Sequence, residues 1–123
     1  MPTSDKKGLR LRVVLRDGAA LGPGKIALLE AIAETGSIRA AGSRFKMSYR
    51  RAWELVAELN AMFAKPLVKT VSGGRGGGGA ALTPLGQEVV TRFRAMEAAS
   101  WSAVEADFRR LARRLKKTAA APT

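Results

Sequence analysis

The sequence predicts a single domain that is mainly α-helical, with a small β-hairpin and a long helix near its C-terminal end. Three observations predict it: two serines in helix-capping positions, a glycine-rich block flanked by strand-like segments, and a stretch without glycine or proline from Gln87 to Lys117. The length of 123 residues is that of one domain. Apolar residues make up 46% of the chain, which is enough for a core.

The charge balance is strongly basic, and two residue types are absent. Lysine and arginine number 22 against 10 aspartate and glutamate residues, so the net charge of +12 predicts an anionic partner. The absence of cysteine and histidine excludes disulfides, thiolate or imidazole metal sites, and Ser-His or Cys-His catalysis. We therefore expect neither an enzyme nor a metal site. No targeting segment or membrane-length apolar run is present, which predicts a cytoplasmic protein without a membrane partner.

The first elements follow from hydrophobic periodicity. Residues 9–16 alternate between apolar side chains and arginines or a valine, which predicts a half-buried strand that ends at an Asp17-Gly18 turn. Apolar residues then recur at spacings of three and four. This spacing predicts a helix from Lys25 to Thr35, closed by Gly36.

Two helices then follow at a short interval. Ser37 is placed to cap a short helix from Ile38 to about Arg44, in which Ala40-Ala41 allows close packing. Ser48 is placed to cap a longer helix that ends near Phe63. A short helix, a turn of three or four residues and a longer helix form the helix-turn-helix pattern.

The segment after this pair has the layout of a wing. Residues 67–71 are rich in β-branched side chains and predict a strand, residues 72–79 are a glycine-rich loop, and residues 80–83 return as a second strand. A strand, a glycine loop and a strand directly behind a helix-turn-helix predict a winged helix-turn-helix domain.

A long helix completes the prediction. Pro84 suits a first helical turn, and the helix over residues 85–115 would measure about 46 Å at roughly 1.5 Å per residue. Its apolar stripe needs a partner, which two copies related by a two-fold axis would supply. The expected dimer contacts are Leu85, Val89, Phe93, Met96, Trp101, Val104, Phe108 and Leu111. The predicted organisation is a disordered tail (1–8), the winged domain (9–83), the dimerisation helix (84–117) and a second disordered tail (118–123).

The second helix of the pair carries the residues expected to read DNA. At 100° per residue its apolar side chains share one face, and Arg50 lies opposite them. The predicted major-groove contacts are Ser48, Tyr49, Arg50 and Arg51. Arginine binds guanine O6 and N7 in a fork, and the positive helix N-terminus favours phosphate. The alternative is that both arginines only solvate an exposed face.

Other basic residues are expected to hold the DNA. Arg39, Arg44 and Lys46 are predicted to contact the phosphate backbone, and Lys69 belongs to the same basic region. Arg75, with Gly76 and Gly77, is expected to reach a minor groove, because a loop without side chains can approach the backbone closely. The alternative is a loop tip without contacts. The basic run over residues 109–117 is interpreted as solvating the helix end.

Three further features receive structural interpretations. Trp53 is expected to pack against the first helix, and Glu54 and Glu58 are expected to be solvated or paired with arginine rather than to bind a metal. Residues 74–79 formally match G-x-G-x-x-G, but any glycine run does so, and a dinucleotide site also needs a βαβ unit.

A specific combination of motifs resembles a known family. It consists of a serine-tyrosine-basic-x-alanine-tryptophan run at residues 48–53, a glycine block at residues 73–79, and Leu82-Thr83. With Gly36-Ser37-Ile38, Asn60, Leu67-Val68 and Gly86, it resembles the N-terminal DNA-binding domain of ModE-type molybdate-responsive transcription regulators, a winged helix related to the LysR type. The resemblance covers about residues 9–100.

The resemblance implies a homodimer whose long helix contributes to the interface and which binds an inverted-repeat operator near molybdenum-related genes. Full-length regulators of this type continue into a β-rich molybdate-binding region. The 123 residues contain no such region, so no cofactor is expected in them.

The predicted function is therefore sequence-specific regulation of transcription by a homodimer on double-stranded DNA, at the nucleoid in the cytoplasm, with an unknown effector or partner protein left open. Two alternatives remain from the residues. One is a non-specific basic nucleic-acid-binding protein of architectural type, which the charge fits equally well. The other is a small oxyanion binder that uses the glycine-rich loop as an amide nest.

Overall fold

The computed structural model describes residues 8–71 and 79–117. Within these ranges the chain forms four helices and two antiparallel hairpins. The elements are β1 (Val13–Arg16), β2 (Ala19–Leu21), α1 (Pro23–Thr35), α2 (Ile38–Arg44), α3 (Tyr49–Met62), β3 (Val68–Val71), β4 (Gly79–Leu82) and α4 (Pro84–Ala112). The predicted fold class is confirmed. Apart from Gly8, the predicted tails lie outside the described residues, as does most of the wing loop.

The first hairpin differs from the single strand predicted over residues 9–16. The strand β1 begins only at Val13, and it pairs with β2, a strand that was not predicted. The register shifts between Val14 and Arg16, so a bulge interrupts the pairing. A bulge changes the face to which a side chain points. This explains why Leu15 is exposed although the alternation predicted it to be buried.

The helix ends follow the predicted caps. Gly36 closes α1 with a left-handed φ of 72°, a conformation that glycine adopts without strain. The Ser37 hydroxyl accepts a hydrogen bond from the Ala40 amide at 3.0 Å. The Ser48 hydroxyl accepts one from the Arg51 amide, also at 3.0 Å. Each serine therefore satisfies an amide that the first helical turn leaves without a backbone partner.

Helix α1 is the centre of the core. Its buried residues are Ile26, Ala27, Leu28, Leu29, Ala31 and Ile32. It packs against α2, α4 and β4, and Val56 and Leu59 of α3 and Phe93 of α4 complete the same cluster. Fully burying one such aliphatic side chain stabilises a fold by about 1.5–3 kcal/mol. Helix α1 therefore holds the remaining elements in place.

The two halves of α4 differ in burial. Val89 and Phe93 in the first half are only 8% and 1% exposed, because they pack into the domain's own core. Leu111 in the second half is 71% exposed. The expectation that Val89 and Phe93 contact a second copy is corrected accordingly. The helix also ends at Ala112 rather than Lys117. No helix of the described ranges is long and apolar enough to cross a bilayer.

An ion-pair network joins α4 to α1. Arg94 donates from Nε and Nη2 to the two carboxylate oxygens of Glu30, at 2.9 and 2.7 Å, and from Nη1 to Glu97 at 2.7 Å. These hydrogen bonds lower the pKa of Glu30 against a smaller opposing effect of burial, and they raise the pKa of Arg94. The fork therefore fixes α4 against the central helix of the core.

The base of the wing is tied to α3 and α4. The Asn60 side chain accepts hydrogen bonds from the amides of Leu67 and Val68 at 2.8 and 3.0 Å, and it donates to the Val68 carbonyl at 3.2 Å. The Thr83 hydroxyl caps α4 and donates to the Pro66 carbonyl at 2.8 Å. A Cβ atom at Gly86 would lie 2.2 Å from the Leu67 oxygen, so only glycine allows this approach. The wing strands therefore have a defined position relative to α3.

Candidate nucleic-acid interface

The turn between α2 and α3 brings the two helices into close contact. The amides of Phe45 and Met47 both donate to the Gly42 carbonyl, at 3.0 and 3.1 Å, and Lys46 between them has a φ of 59°. A Cβ atom at Gly42 would lie 2.9 Å from the Cβ atom of Ala52. Of the two residues predicted to allow close packing, Ala41 is fully buried and Ala40 is exposed, and Gly42 is a further close contact that was not predicted.

The side of α3 that faces away from the core is exposed to solvent. Ala52, Val56 and Leu59 are buried on one side of the helix, as the periodicity predicted. On the other side, 89% of the Arg50 side chain is exposed. The orientation predicted for this helix is confirmed, and its arginine-bearing side is open to a partner.

An aromatic cluster extends this surface toward α2. The guanidinium carbon of Arg39 lies 4.1 Å from the centre of the Tyr49 ring, a cation–π contact. Tyr49 and Trp53 meet edge to face, with ring centres 6.2 Å apart. The prediction that Trp53 packs against α1 in the core is wrong, because Trp53 is 37% exposed and contacts the tyrosine one turn before it. The spacing of four residues between the two aromatic rings was the available signal.

Acidic side chains neutralise part of the arginine charge. Glu54 lies 3.5 Å from Arg50 Nε and 3.2 Å from Arg51 Nη1. Glu58 lies 3.9 Å from Arg51 Nη1 and 3.8 Å from Lys25 Nζ. The expectation that these carboxylates pair with basic residues is confirmed. Within residues 8–71 and 79–117, no group of three or more acidic side chains is arranged to hold a metal.

The remaining predicted contacts have different positions. Arg44 forms an ion pair with Glu34 of α1 at 2.5 Å. Lys46 lies exposed in the turn, and Lys69 lies exposed on β3. Arg75, Gly76 and Gly77 lie outside the described residues. The structure thus brings together one surface, here called the recognition face, made of Arg39, Tyr49, Arg50, Arg51, Trp53 and Glu54.

A short helix, a tight turn, a second helix with an exposed basic side and a hairpin attached behind it define a winged helix-turn-helix protein. The chain belongs to the bacterial regulatory helix-turn-helix proteins of the lysR family, whose sequence profile matches residues 24–87. This assignment agrees with the relation to the LysR type that the motifs implied.

Individual relatives carry names linked to molybdenum. The chain is 44% identical over 86 residues to the molybdenum-pterin-binding protein MopB of Rhodobacter capsulatus, which is 70% of the chain and 32% of that protein. It is 41% identical over 100 residues to the molybdenum transport protein ModE of Azotobacter vinelandii, which is 81% of the chain and 36% of that protein.

A third relative is the DNA-binding transcriptional dual regulator ModE of Escherichia coli K12, 41% identical over 71 residues, which is 58% of the chain and 27% of that protein. The resemblance to ModE-type proteins is therefore confirmed. The matched part of the chain spans about a third of the length of the first two relatives.

Proposed function

We propose that the protein is a DNA-binding regulator of transcription that acts sequence-specifically, as a homodimer, on an inverted-repeat operator of molybdenum-related genes at the nucleoid. The observation that carries the proposal is the exposed basic side of a capped second helix in a winged helix-turn-helix. The names of the relatives support the regulatory role and the link to molybdenum.

In this proposal the N-terminal turns of α3 enter the major groove. The opposite side of α3 is buried through Ala52 and Val56, so the groove receives the predicted contacts Ser48, Tyr49, Arg50 and Arg51. An arginine fork on guanine supplies base readout. The remaining predicted contacts hold phosphates or reach the minor groove: Arg39, Arg44, Lys46, Lys69, Arg75, Gly76 and Gly77.

The second half of α4 supports the proposed homodimer. The Trp101 and Phe108 rings pack against each other, with their centres 5.0 Å apart, and Leu111 beyond them is exposed. Met96 is also exposed. Covering exposed apolar side chains of this kind with a second copy removes them from water, which favours dimerisation. The proposed interface therefore keeps Leu85, Met96, Trp101, Val104, Phe108 and Leu111.

Selection of bound duplexes from a random DNA pool, followed by competition with a scrambled duplex of equal composition, tests the proposal. We expect a two-fold symmetric consensus with half-sites about one helical turn apart, and a preference over the scrambled duplex of about a thousandfold or more. Equal competition by the scrambled duplex would overturn the proposal and favour an architectural role. A consensus without symmetry would overturn the homodimer.

A further inference from the structure

Glu54 lies among the basic side chains of the recognition face. A neutral residue at this position would favour binding to phosphates more, because a carboxylate repels them. It lies on α3 one turn after Arg50, on the side that faces away from the core. Its two carboxylate oxygens lie 3.5 Å from Arg50 Nε and 3.2 Å from Arg51 Nη1. One acidic residue therefore contacts both arginines of the proposed groove-reading turn.

Folding stability does not account for this placement. About half of the Glu54 side chain is exposed, as is half or more of each arginine side chain. Ion pairs at such exposure contribute little to the free energy of folding, because water screens them and two long side chains lose freedom. The phosphates of a duplex can therefore draw both arginines away from Glu54, but the carboxylate itself stays on the face that meets the DNA.

The chemistry of the groove restricts what a carboxylate can contact there. It is repelled by phosphates and by the acceptor atoms of guanine and thymine. It is attracted to an exocyclic amino group, which both adenine and cytosine present. In adenine the neighbouring N7 is an acceptor that repels a carboxylate, so the favourable contact of glutamate with a base edge is with N4 of cytosine. Ala57, which follows on the same side of α3, is small and exposed, so it allows the helix to approach the base edges.

We propose that Glu54 is a specificity-determining residue: its carboxylate accepts a hydrogen bond from the N4 amino group of one cytosine in each operator half-site. Where that amino group is missing, the carboxylate is left beside acceptors, and binding weakens. Glu54 thereby lowers the affinity for unrelated DNA as well as selecting one base. The inference rests on the proposed function, because it requires α3 to lie in the major groove.

Glu58 supplies a matched control. It is one turn further along α3 and has a similar exposure, but it lies near Lys25 of α1 at 3.8 Å as well as near Arg51 at 3.9 Å. Its contacts join two elements of the domain. The Glu58→Gln variant therefore removes the same charge from the same helix without removing the proposed base contact.

The test compares the whole chain with its Glu54→Gln and Glu58→Gln variants, after matched thermal melts have shown that all three fold alike. Binding to the selected operator, to its single-base variants and to the scrambled duplex is measured by fluorescence anisotropy across a salt series. For Glu54→Gln we expect about fivefold tighter binding to the scrambled duplex at 150 mM salt. Removing one negative charge from the face that meets the DNA is equivalent to neutralising one further phosphate, which adds about 0.9 to the salt slope and corresponds to this factor.

We also expect Glu54→Gln to lose the preference for cytosine at one position of each half-site and to prefer adenine there, because glutamine pairs with adenine N6 and N7. Glu58→Gln should keep the cytosine preference and the ratio of operator to scrambled binding.

The outcomes separate this inference from the proposed function. If the wild-type chain does not distinguish the operator from the scrambled duplex, the proposed function fails, and the inference fails with it. If the wild-type chain distinguishes them but Glu54→Gln retains every base preference, only the inference is overturned. An equal loss of cytosine preference in both variants also overturns it, because the effect would then follow from charge alone.

Discussion

Helices α1 and α3 are similar in length but differ in how they meet the rest of the molecule. The buried residues of α1 include four consecutive ones, Ile26 to Leu29, which point to several sides of the helix, whereas α3 buries one row, consisting of Ala52, Val56 and Leu59. The remaining sides of α3 carry exposed charged and aromatic residues. Core residues therefore contact α1 on several sides but α3 on only one, so the other side of α3 is available to a ligand.

The largest expected effect is the loss of stability when a buried residue of α1 is truncated. Leu29 is fully buried, so Leu29→Ala should lower the free energy of unfolding by about 2–5 kcal/mol, from lost burial and the cavity that remains. Urea denaturation measures this loss. Ala33→Ser, on the exposed side of α1, is the control and should change stability by less than about 0.5 kcal/mol. A loss below about 1 kcal/mol for Leu29→Ala would contradict the central role of α1.

The second prediction concerns α4. Its first half packs into the core, as α1 does, and its second half has an exposed side, as α3 does. Leu111→Glu places a charge on an exposed apolar position, so it should leave the stability of the protomer within about 0.5 kcal/mol. We expect it to weaken dimerisation by about 2–4 kcal/mol, since each copy loses one buried leucine. Sedimentation across a concentration series measures the equilibrium. An unchanged dimer would remove Leu111 from the interface.

The third prediction tests the exposed side of α3, which carries Arg50. Arg50→Ala should weaken operator binding by about 1–3 kcal/mol and relax the preference at one base position, with no loss of stability. Arg92→Ala is matched in charge and removes an exposed arginine that pairs with Glu88 at 2.7 Å on α4. The two variants are compared by operator titration. Uniform weakening on all duplexes would make Arg50 a phosphate contact instead of a base reader.

The smallest expected effect lies where α1 meets α4. Arg94 lowers the pKa of Glu30 below the ordinary carboxyl value of 4.5, so the folded state holds the charged form more firmly than the unfolded state does. This stability is present above the ordinary value and disappears as the pH falls through the lowered pKa.

We expect Glu30→Gln to cost about 0.5–1 kcal/mol at pH 7, because the Arg94 and Glu30 side chains are 33% and 35% exposed and solvent screens the pair, and to cost nothing once Glu30 is protonated. Denaturant unfolding at a series of pH values measures the difference between variant and wild type. A difference that does not depend on pH would show that packing, not charge, joins the two helices.

Local rules predicted most of the fold. Caps at Ser37 and Ser48, the left-handed Gly36 and the periodicity of α3 each depend on a few neighbouring residues, and all agree with the structure. The exposure of Arg50 followed from the same periodicity. These features could be read from the sequence because the forces that produce them act over one or two helical turns.

Features that depend on distant contacts could not be read in the same way. Periodicity placed Phe93 on an apolar stripe, but only the packing against α1 shows that its partner is the domain's own core. Trp53 lies at the edge of the apolar stripe of α3, and its environment depends on its contact with the Tyr49 ring, which periodicity alone does not predict. Gly42 is one of 13 glycines, and its role depends on the position of Ala52 across the turn.

The fork between Arg94 and Glu30 lies close to the place where α4 leaves the domain, and it has a mechanical consequence for any assembly built on that helix. A bidentate pair between an arginine and a carboxylate restricts the relative orientation of the two helices that it joins. In a dimer formed through the distal half of α4, the stiffness of this joint would limit how much the distance between the two α3 helices varies. Loosening it would widen the range of operator spacings that the dimer tolerates.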